Sequence, residues 1–235
     1  MNSFSPKKDS LFKLKNVNKI VTSPEGMLTI LSDISFEISR GETIAIVGAS
    51  GAGKSTLLGL MAGLDIPSGG EIILNNNNLV ALNEDQRAEI RANNIGFVFQ
   101  SFHLIPSLNA IENVMFPLEL SGKENARHRA SEILQGMGMK DRVTHYPHQL
   151  SGGEKQRVAI ARAFAGEPSV LFADEPTGNL DAKTGKNIIE TMFVLNKTSS
   201  TTLILVTHDK KLAEMCDREI LLEAGKLVSD KAIQK

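Results

Sequence analysis

Tryptophan is absent from the 235-residue sequence, tyrosine and cysteine occur once each, and aromatic residues make up only 5%. With Cys216 alone, no internal disulfide can form, which fits a reducing compartment and excludes a disulfide-stapled secreted scaffold. Nowhere do about 18 apolar residues run together, so no segment reads as a membrane span. An excess of either charge is also missing, since 26 Lys and Arg stand against 27 Asp and Glu. A dedicated nucleic-acid binder would show a basic excess or stripe, so no nucleic-acid partner is expected. Met1 to Ser10 are polar, carry Lys7 and Lys8, and lack the apolar run of a secretory signal, so they read as a loose N-terminal tail. The expectation is a soluble, cytoplasmic chain long enough to bury a substantial core.

What is present is a regular change of texture. Ile34, Phe36 and Ile38 alternate with polar neighbours before a turn at Arg40-Gly41, and residues 11–40 read as short strands. Thr43 to Val47 is almost wholly apolar, as in a strand covered on both faces. A helix is expected from Ser55 to Ala62, then a short strand at Glu71 to Leu74 closed by a turn over Asn75 to Asn78. From residue 102 to 158 the texture is helical, with Ala126, Ala130, Ile133, Leu134 and Met137 at helical spacing. Strand texture returns at Val170 to Ala173 and at Leu203 to Val206. Strands separated by helices point to an α/β fold with a parallel sheet and an inserted helical block.

Gly48-Ala49-Ser50-Gly51-Ala52-Gly53-Lys54-Ser55 matches the pattern G-x-x-x-x-G-K-[ST] between an expected strand and an expected helix. Glycines let backbone N–H groups curl around phosphate oxygens, and the helix that follows points its positive end at them. Lys54 then suits the outer phosphates and the Ser55 hydroxyl suits Mg2+. The plain alternative, a glycine-rich turn, requires a chance match of roughly one in a hundred at average residue frequencies.

Asp174 and Glu175 follow the apolar strand Val170 to Ala173, at the strand end where open α/β sheets bind their ligands. One carboxylate suits Mg2+ through water, and its neighbour can polarise an attacking water. Leu150-Ser151-Gly152-Gly153-Glu154-Lys155-Gln156 precedes an amphipathic helix. Ser151 and Glu154 have the spacing of a capping box, which by itself explains a helix start. The two glycines also leave N–H groups open to an anion, a second phosphate-binding surface. The residues alone leave both readings open.

Leu150 to Gln156 resembles the signature motif of ATP-binding-cassette (ABC) ATPases, and with it Gly48 to Ser55 looks like a Walker A motif and Val170 to Glu175 like Walker B. Gln100, after Ile95-Gly96-Phe97-Val98-Phe99, is placed like the Q-loop glutamine. Gly178-Asn179-Leu180-Asp181 resembles the D-loop, and His208, after Leu203 to Thr207, the switch histidine. The wording around Gln100, with Glu112-Asn113-Val114 and Ala173 to Asp181, is similar to the group containing LolD, MacB and FtsE.

The resemblance implies a RecA-like P-loop NTPase core with an antiparallel β subdomain and an inserted α-helical subdomain. Residues 11–235 would form one ATPase domain, with the core and β subdomain over 11–100 and 159–235 and the helical subdomain over 101–158. It implies ATP and Mg2+ as cofactors, with Gly48, Ser50, Gly51, Ala52, Gly53, Lys54, Ser55 and Thr56 around the nucleotide. Ser55, Gln100 and Asp174 would serve Mg2+, the last through water, while Glu175 acts as general base and His208 and Lys54 contact the γ-phosphate. Two copies would pack head to tail, so that Ser151, Gly152, Gly153 and Asp181 meet a nucleotide held by the other. The second partner would be a membrane permease with a large extracytoplasmic domain, met at the cytoplasmic face of the bacterial inner membrane. Phe102, Leu104 and Ile105 would flank the groove that receives the permease's coupling helix.

Two other classes fit less well. Soluble cassette proteins of DNA repair or translation usually carry two cassettes or long coiled-coil insertions, and this sequence has neither. A P-loop kinase or GTPase needs neither a signature motif nor His208. His145-Tyr146-Pro147-His148 offers two imidazoles, but Pro147 disrupts a helix and no cysteine lies near, so a metal role is set aside. One departure stands out: the family often stacks an aromatic on adenine near the end of the first strand, and Val17 to Val21 contains none. The chain is therefore expected to bind ATP and GTP with affinities within about tenfold of each other. Competition binding with the purified chain checks this, and a larger preference for ATP would overturn it.

Overall fold

Two long antiparallel strands, β1 (Ser10–Ser23) and β2 (Gly26–Ser39), pair from Ser10↔Ser39 to Ser23↔Gly26. The computed structural model describes residues 10–24 and 26–233, so the expected tail lies outside the described residues except for Ser10, which opens β1. The chain divides into two compact units, one running through Glu89 and resuming at Ile204, the other spanning Ile90–Leu203.

In the first unit, the short strands expected over residues 11–40 are instead two strands of 14 residues each. The reason is local. The β1–β2 register shifts between Leu14 and Val17 and again between Val17 and Lys19, and Asn16 and Asp33 take left-handed backbone with φ of 48° and 54°. Asn16 Nδ2 donates to Asp33 Oδ1 at 2.7 Å, which holds the irregularity in place. Each bulge resets the side-chain alternation while the strand continues, so the periodicity breaks where the backbone does not. Strand β4 (Gly69–Leu74) pairs with β1 and β5 (Asn77–Asn78) with β4, giving the order β2-β1-β4-β5. Asn75 and Asn76 make the turn at φ of 49° and 65°, and Asn77 and Asn78, expected in that turn, belong to β5.

Also in this unit, β3 (Thr43–Val47) has its first four residues buried and runs into α1 (Lys54–Met61), which buries Leu57, Leu58, Leu60 and Met61. Strand β9 (Arg218–Glu223) lies parallel to β3, and β10 (Lys226–Ala232) antiparallel to β9. Residues 204–206 of β8 (Thr202–Val206) flank β3 on its other side. The Asp217 carboxylate accepts from Thr43 N at 3.1 Å and Thr43 Oγ1 at 2.7 Å, fixing the start of β3. Beside it, Cys216 is fully buried after the short helix α7 (Lys210–Ala213).

Helix α2 (Glu84–Asn94) carries the chain into the second unit. There β6 (Ile95–Phe99) and β7 (Val170–Asp174) are parallel, in register from Ile95↔Val170 to Phe99↔Asp174. Between them come α3 (Ala110–Leu120), α4 (Ala126–Gly136) and α5 (Gly152–Ala165), and after them α6 (Ala182–Ser199). Helix α5 packs against α3, α4, β6 and α6, so the helical block shares its unit with two of the strands. The expected helical texture begins at Ala110, because 102–108 is irregular chain whose later part is pinned by the Asn113 side chain. Asn113 is fully buried; its Nδ2 donates to the carbonyls of Ile105, Leu108 and Asn109, and its Oδ1 accepts from Ile105 N at 2.8 Å.

An alanine at 113 would strand several buried backbone groups. Asn113→Ala is expected to cost about 2–4 kcal/mol. Thermal unfolding of the two proteins side by side checks this, and an unchanged midpoint would refute the pinning role.

Candidate functional site

The first unit holds the phosphate loop. Gly53 is the N-cap of α1 at φ 96°, and a Cβ built there would lie 2.7 Å from Leu31 Cδ2 and 3.0 Å from Ile30 O, so only glycine fits. No side chain caps α1 and its first turn carries no acidic residue, which leaves its N–H groups and positive end open to an anion. Ser50, Gly51 and Ser55 are exposed; Gly48, Gly53, Lys54 and Thr56 are half-buried; Ala52 is buried. The Lys54 ammonium donates to Gly48 O at 2.8 Å and Ala49 O at 2.9 Å, bracing the loop across its own mouth. His208, exposed at the end of β8, shares with Gly48, Val47 and Lys210 the lining of a cavity of about 630 Å³. The first unit therefore brings His208 and the start of the phosphate loop to one cavity.

Ile20 and Val21, where an adenine-stacking aromatic was sought, are at the exposed end of β1. With Met27 and Leu28 they form an apolar tip whose residues are 36–78% exposed.

In the second unit the β6–β7 register sets Phe99 opposite Asp174, so Gln100 and Glu175 leave the same sheet edge side by side. Gln100 lies over Gly178 and donates through Nε2 to Asn179 Oδ1 at 3.4 Å; Asn179 Nδ2 returns a bond to Gln100 O at 3.0 Å. Asp174 and Glu175 are half-buried. Glu175 has φ 46°, a left-handed conformation that costs a non-glycine residue about 1–3 kcal/mol. Its carbonyl accepts from Gly178 N at 3.0 Å, closing a tight bend directly after the acidic pair.

The expected capping box is present at the start of α5. Ser151 Oγ accepts from Glu154 N at 3.3 Å, and Glu154 Oε2 accepts from Ser151 N at 2.8 Å. Arg142 Nε reaches Glu154 Oε1 at 3.1 Å. The Ser151 N–H, then its hydroxyl, then Arg142 hold the Glu154 carboxyl below the ordinary carboxylate range. Asp181 caps α6, accepting from Thr184 N at 3.0 Å, and the Thr184 hydroxyl and N–H lower its carboxyl in turn. The two helix starts touch: a Cβ at Gly153 would lie 2.6 Å from Thr184 Cγ2, and one at Gly152 would lie 3.3 Å from Leu180 Cδ2.

The loop after Gln100 carries a further feature. Phe102 and His103 both take positive φ, 61° and 46°, and Arg162 clamps the pair by donating to Phe102 O at 3.0 Å and His103 O at 2.6 Å. Burial pushes the Arg162 guanidinium down from its ordinary value. A groove of about 360 Å³, lined by Phe97, Phe99, His103, Pro117 and Arg162, opens beside this loop. His103 lines it, whereas the half-buried Phe102, Leu104 and Ile105 do not. Arg162 is not expected from the sequence, and Gln156 reads only as the last residue of the signature motif. Gln156 left a readable trace, a polar residue on the buried face of α5 beside Ala159, Ile160 and Ala163.

A family model described as ABC transporter matches residues 31–178. The ABC transporter ATP-binding protein YbbA of Escherichia coli is 51% identical over 221 residues, 93% of this chain and 97% of that protein. The lipoprotein-releasing system ATP-binding protein LolD of Legionella pneumophila is 48% identical over 200 residues, 84% of this chain and 88% of that one. Among solved structures, the dimeric ATP-binding cassette MJ0796 bound to ADP and phosphate aligns with TM-score 0.87 and 40% identity, covering 95% of this chain and 99% of that one. The cbiO1 protein of Clostridium perfringens, part of the ABC transporter complex cbiONQ, aligns with TM-score 0.84 and 30% identity, covering 96% and 89%.

The Gly153–Thr184 contact makes a stability forecast separate from any ligand. Gly153→Ala is expected to cost about 1–3 kcal/mol through overpacking, and adding Thr184→Ser, which deletes the clashing methyl, should recover most of it. Thermal melts of the two single variants and the double variant test this; a double variant no better than Gly153→Ala would discard the contact as the reason for glycine.

Proposed function

The chain belongs to the ABC transporter family, as an ATP-binding and ATP-hydrolysing cassette on the P-loop NTPase fold, and from that premise we propose that it powers a separate membrane permease. The observation that carries this reading is the apolar groove of the second unit, rimmed by His103 and floored by Phe97 and Phe99. Among the described residues no helix is long and apolar enough to cross a membrane. A groove of this kind suits a short amphipathic helix from that permease, seated beside Phe102, Leu104 and Ile105.

In this reading the backbone of Gly48–Lys54 and the open start of α1 hold the phosphates of ATP, and Lys54 exchanges its carbonyl partners for the outer phosphates. Glu175 takes a proton from the attacking water, and His208 contacts the γ-phosphate. The hydroxyl of Ser55, the amide oxygen of Gln100 and the carboxylate of Asp174 are all hard oxygen donors, the set that Mg2+ selects, with Asp174 acting through water. Bound there, Mg2+ supplies charge neutralisation for the phosphates. Two copies pack head to tail, and Ser151, Gly152, Gly153 and Asp181 of one meet the nucleotide of the other; that the related MJ0796 cassette is dimeric with ADP and phosphate bound supports pairing of two copies.

The LolD relatives, named as ATP-binding proteins of a lipoprotein-releasing system, support work on lipid-linked cargo; in this reading the permease carries a large extracytoplasmic domain and extracts or exports such cargo or transmits force across the membrane. The cassette then works at the cytoplasmic face of the inner membrane. The test is a pull-down of tagged Glu175→Gln chain from gently solubilised membranes, with and without ATP. A multi-span protein is expected as the main partner, recovered far less by the His103→Glu variant while its melting stays within about 1 kcal/mol of the parent. Recovery of soluble proteins or nucleic acid alone would move the chain to the soluble class of ABC ATPases.

A further inference from the structure

Gln156 lies on the buried face of α5, fully shielded from solvent. Its Nε2 donates to Pro176 O at 2.7 Å, while its buried Oε1 has no hydrogen-bond partner among the described residues. The amide cannot be turned round, because Oε1 would then face a carbonyl that can only accept. A position that merely needed filling would hold leucine or methionine and leave no buried acceptor unsatisfied. The unsatisfied oxygen is therefore tolerated for the one bond the amide does make. That bond ends on the residue following Glu175, inside the bend where Glu175 itself takes left-handed backbone. A non-glycine residue persists in that region only where its surroundings over-determine it. On one side the bend is closed by Gly178 N bonding to Glu175 O at 3.0 Å; on the other it is held by Gln156.

We propose that Gln156 is a positioning residue for Glu175: through Pro176 O it sets the bend that aims the Glu175 carboxylate. The same helix begins with Gly152 and Gly153 behind the Ser151 cap, so any shift in how that start is seated reaches Glu175 through a single rigid turn and one hydrogen bond. The inference rests on the reading of Glu175 as general base.

The experiment is single-turnover ATP hydrolysis by the full chain, with nucleotide binding and melting measured on the same preparations. Gln156→Met keeps length and volume but removes the donor; hydrolysis is expected to slow about tenfold while nucleotide affinity stays within about twofold and the melting temperature is retained. Gln156→Glu can donate to Pro176 O only when protonated, so its rate relative to wild type should rise as the pH falls. Added to Glu175→Gln, Gln156→Met should slow hydrolysis no further, since the group it aims is gone. A wild-type rate for Gln156→Met overturns the proposal, as does a parallel loss of affinity and melting temperature, or a multiplicative loss in the double variant. If Gln156→Met does not fold, Gln156→Glu decides, and a pH-independent ratio to wild type overturns the proposal. Glu175→Gln at the wild-type rate would instead overturn the general-base reading and leave the geometry of Gln156 to be explained otherwise.

Discussion

In the second unit everything depends on a register. Parallel pairing of β6 with β7 sets Phe99 against Asp174, and the cross-strand stacking of Phe97 on Phe172, with ring centroids 5.2 Å apart, supports that register. A slip of one residue would turn each side chain to the opposite face and separate Gln100 from the acidic pair. Because both strands end at one level, a short loop can join Gln100 to Asn179 by a reciprocal pair of hydrogen bonds.

The helix starts in this unit serve two purposes at once. Ser151 and Glu154 satisfy each other's N–H groups, while the two glycines between them leave the rest of that first turn bare. Gly153 is also where Thr184 presses closest, so packing against α6 demands the same small residue that an anion site would. A glycine at such a point has two independent physical causes, and neither can be inferred from the other.

Legibility in the sequence followed the range of the interactions. Helix α1 and the capping box of α5 depend on neighbours within a few residues, and strand β7 announces itself by a local apolar run; each lies where local pattern put it to within about two residues. The length of β1 and β2 was hidden because Asn16 and Asp33 break the alternation, and their partnership spans residues far apart in the chain. Asp181 as the cap of α6 is legible locally, since an aspartate directly before a helical run can accept from an N–H three residues on. The clamp of Arg162 on Phe102 and His103, and the reach of Gln156 to Pro176, pair an α5 side chain with a distant backbone carbonyl. Carbonyls carry no residue identity, so such bonds leave almost no mark in a sequence.

The burial of Cys216 has a practical consequence. The chain contains one thiol, and the fold seals it away from solvent beside the start of β9. A surface cysteine introduced elsewhere would be the one exposed thiol that a maleimide or nitroxide reagent meets. The unmodified chain thus serves as a background without an accessible thiol, ready for fluorophores or spin labels that follow distances through a turnover cycle.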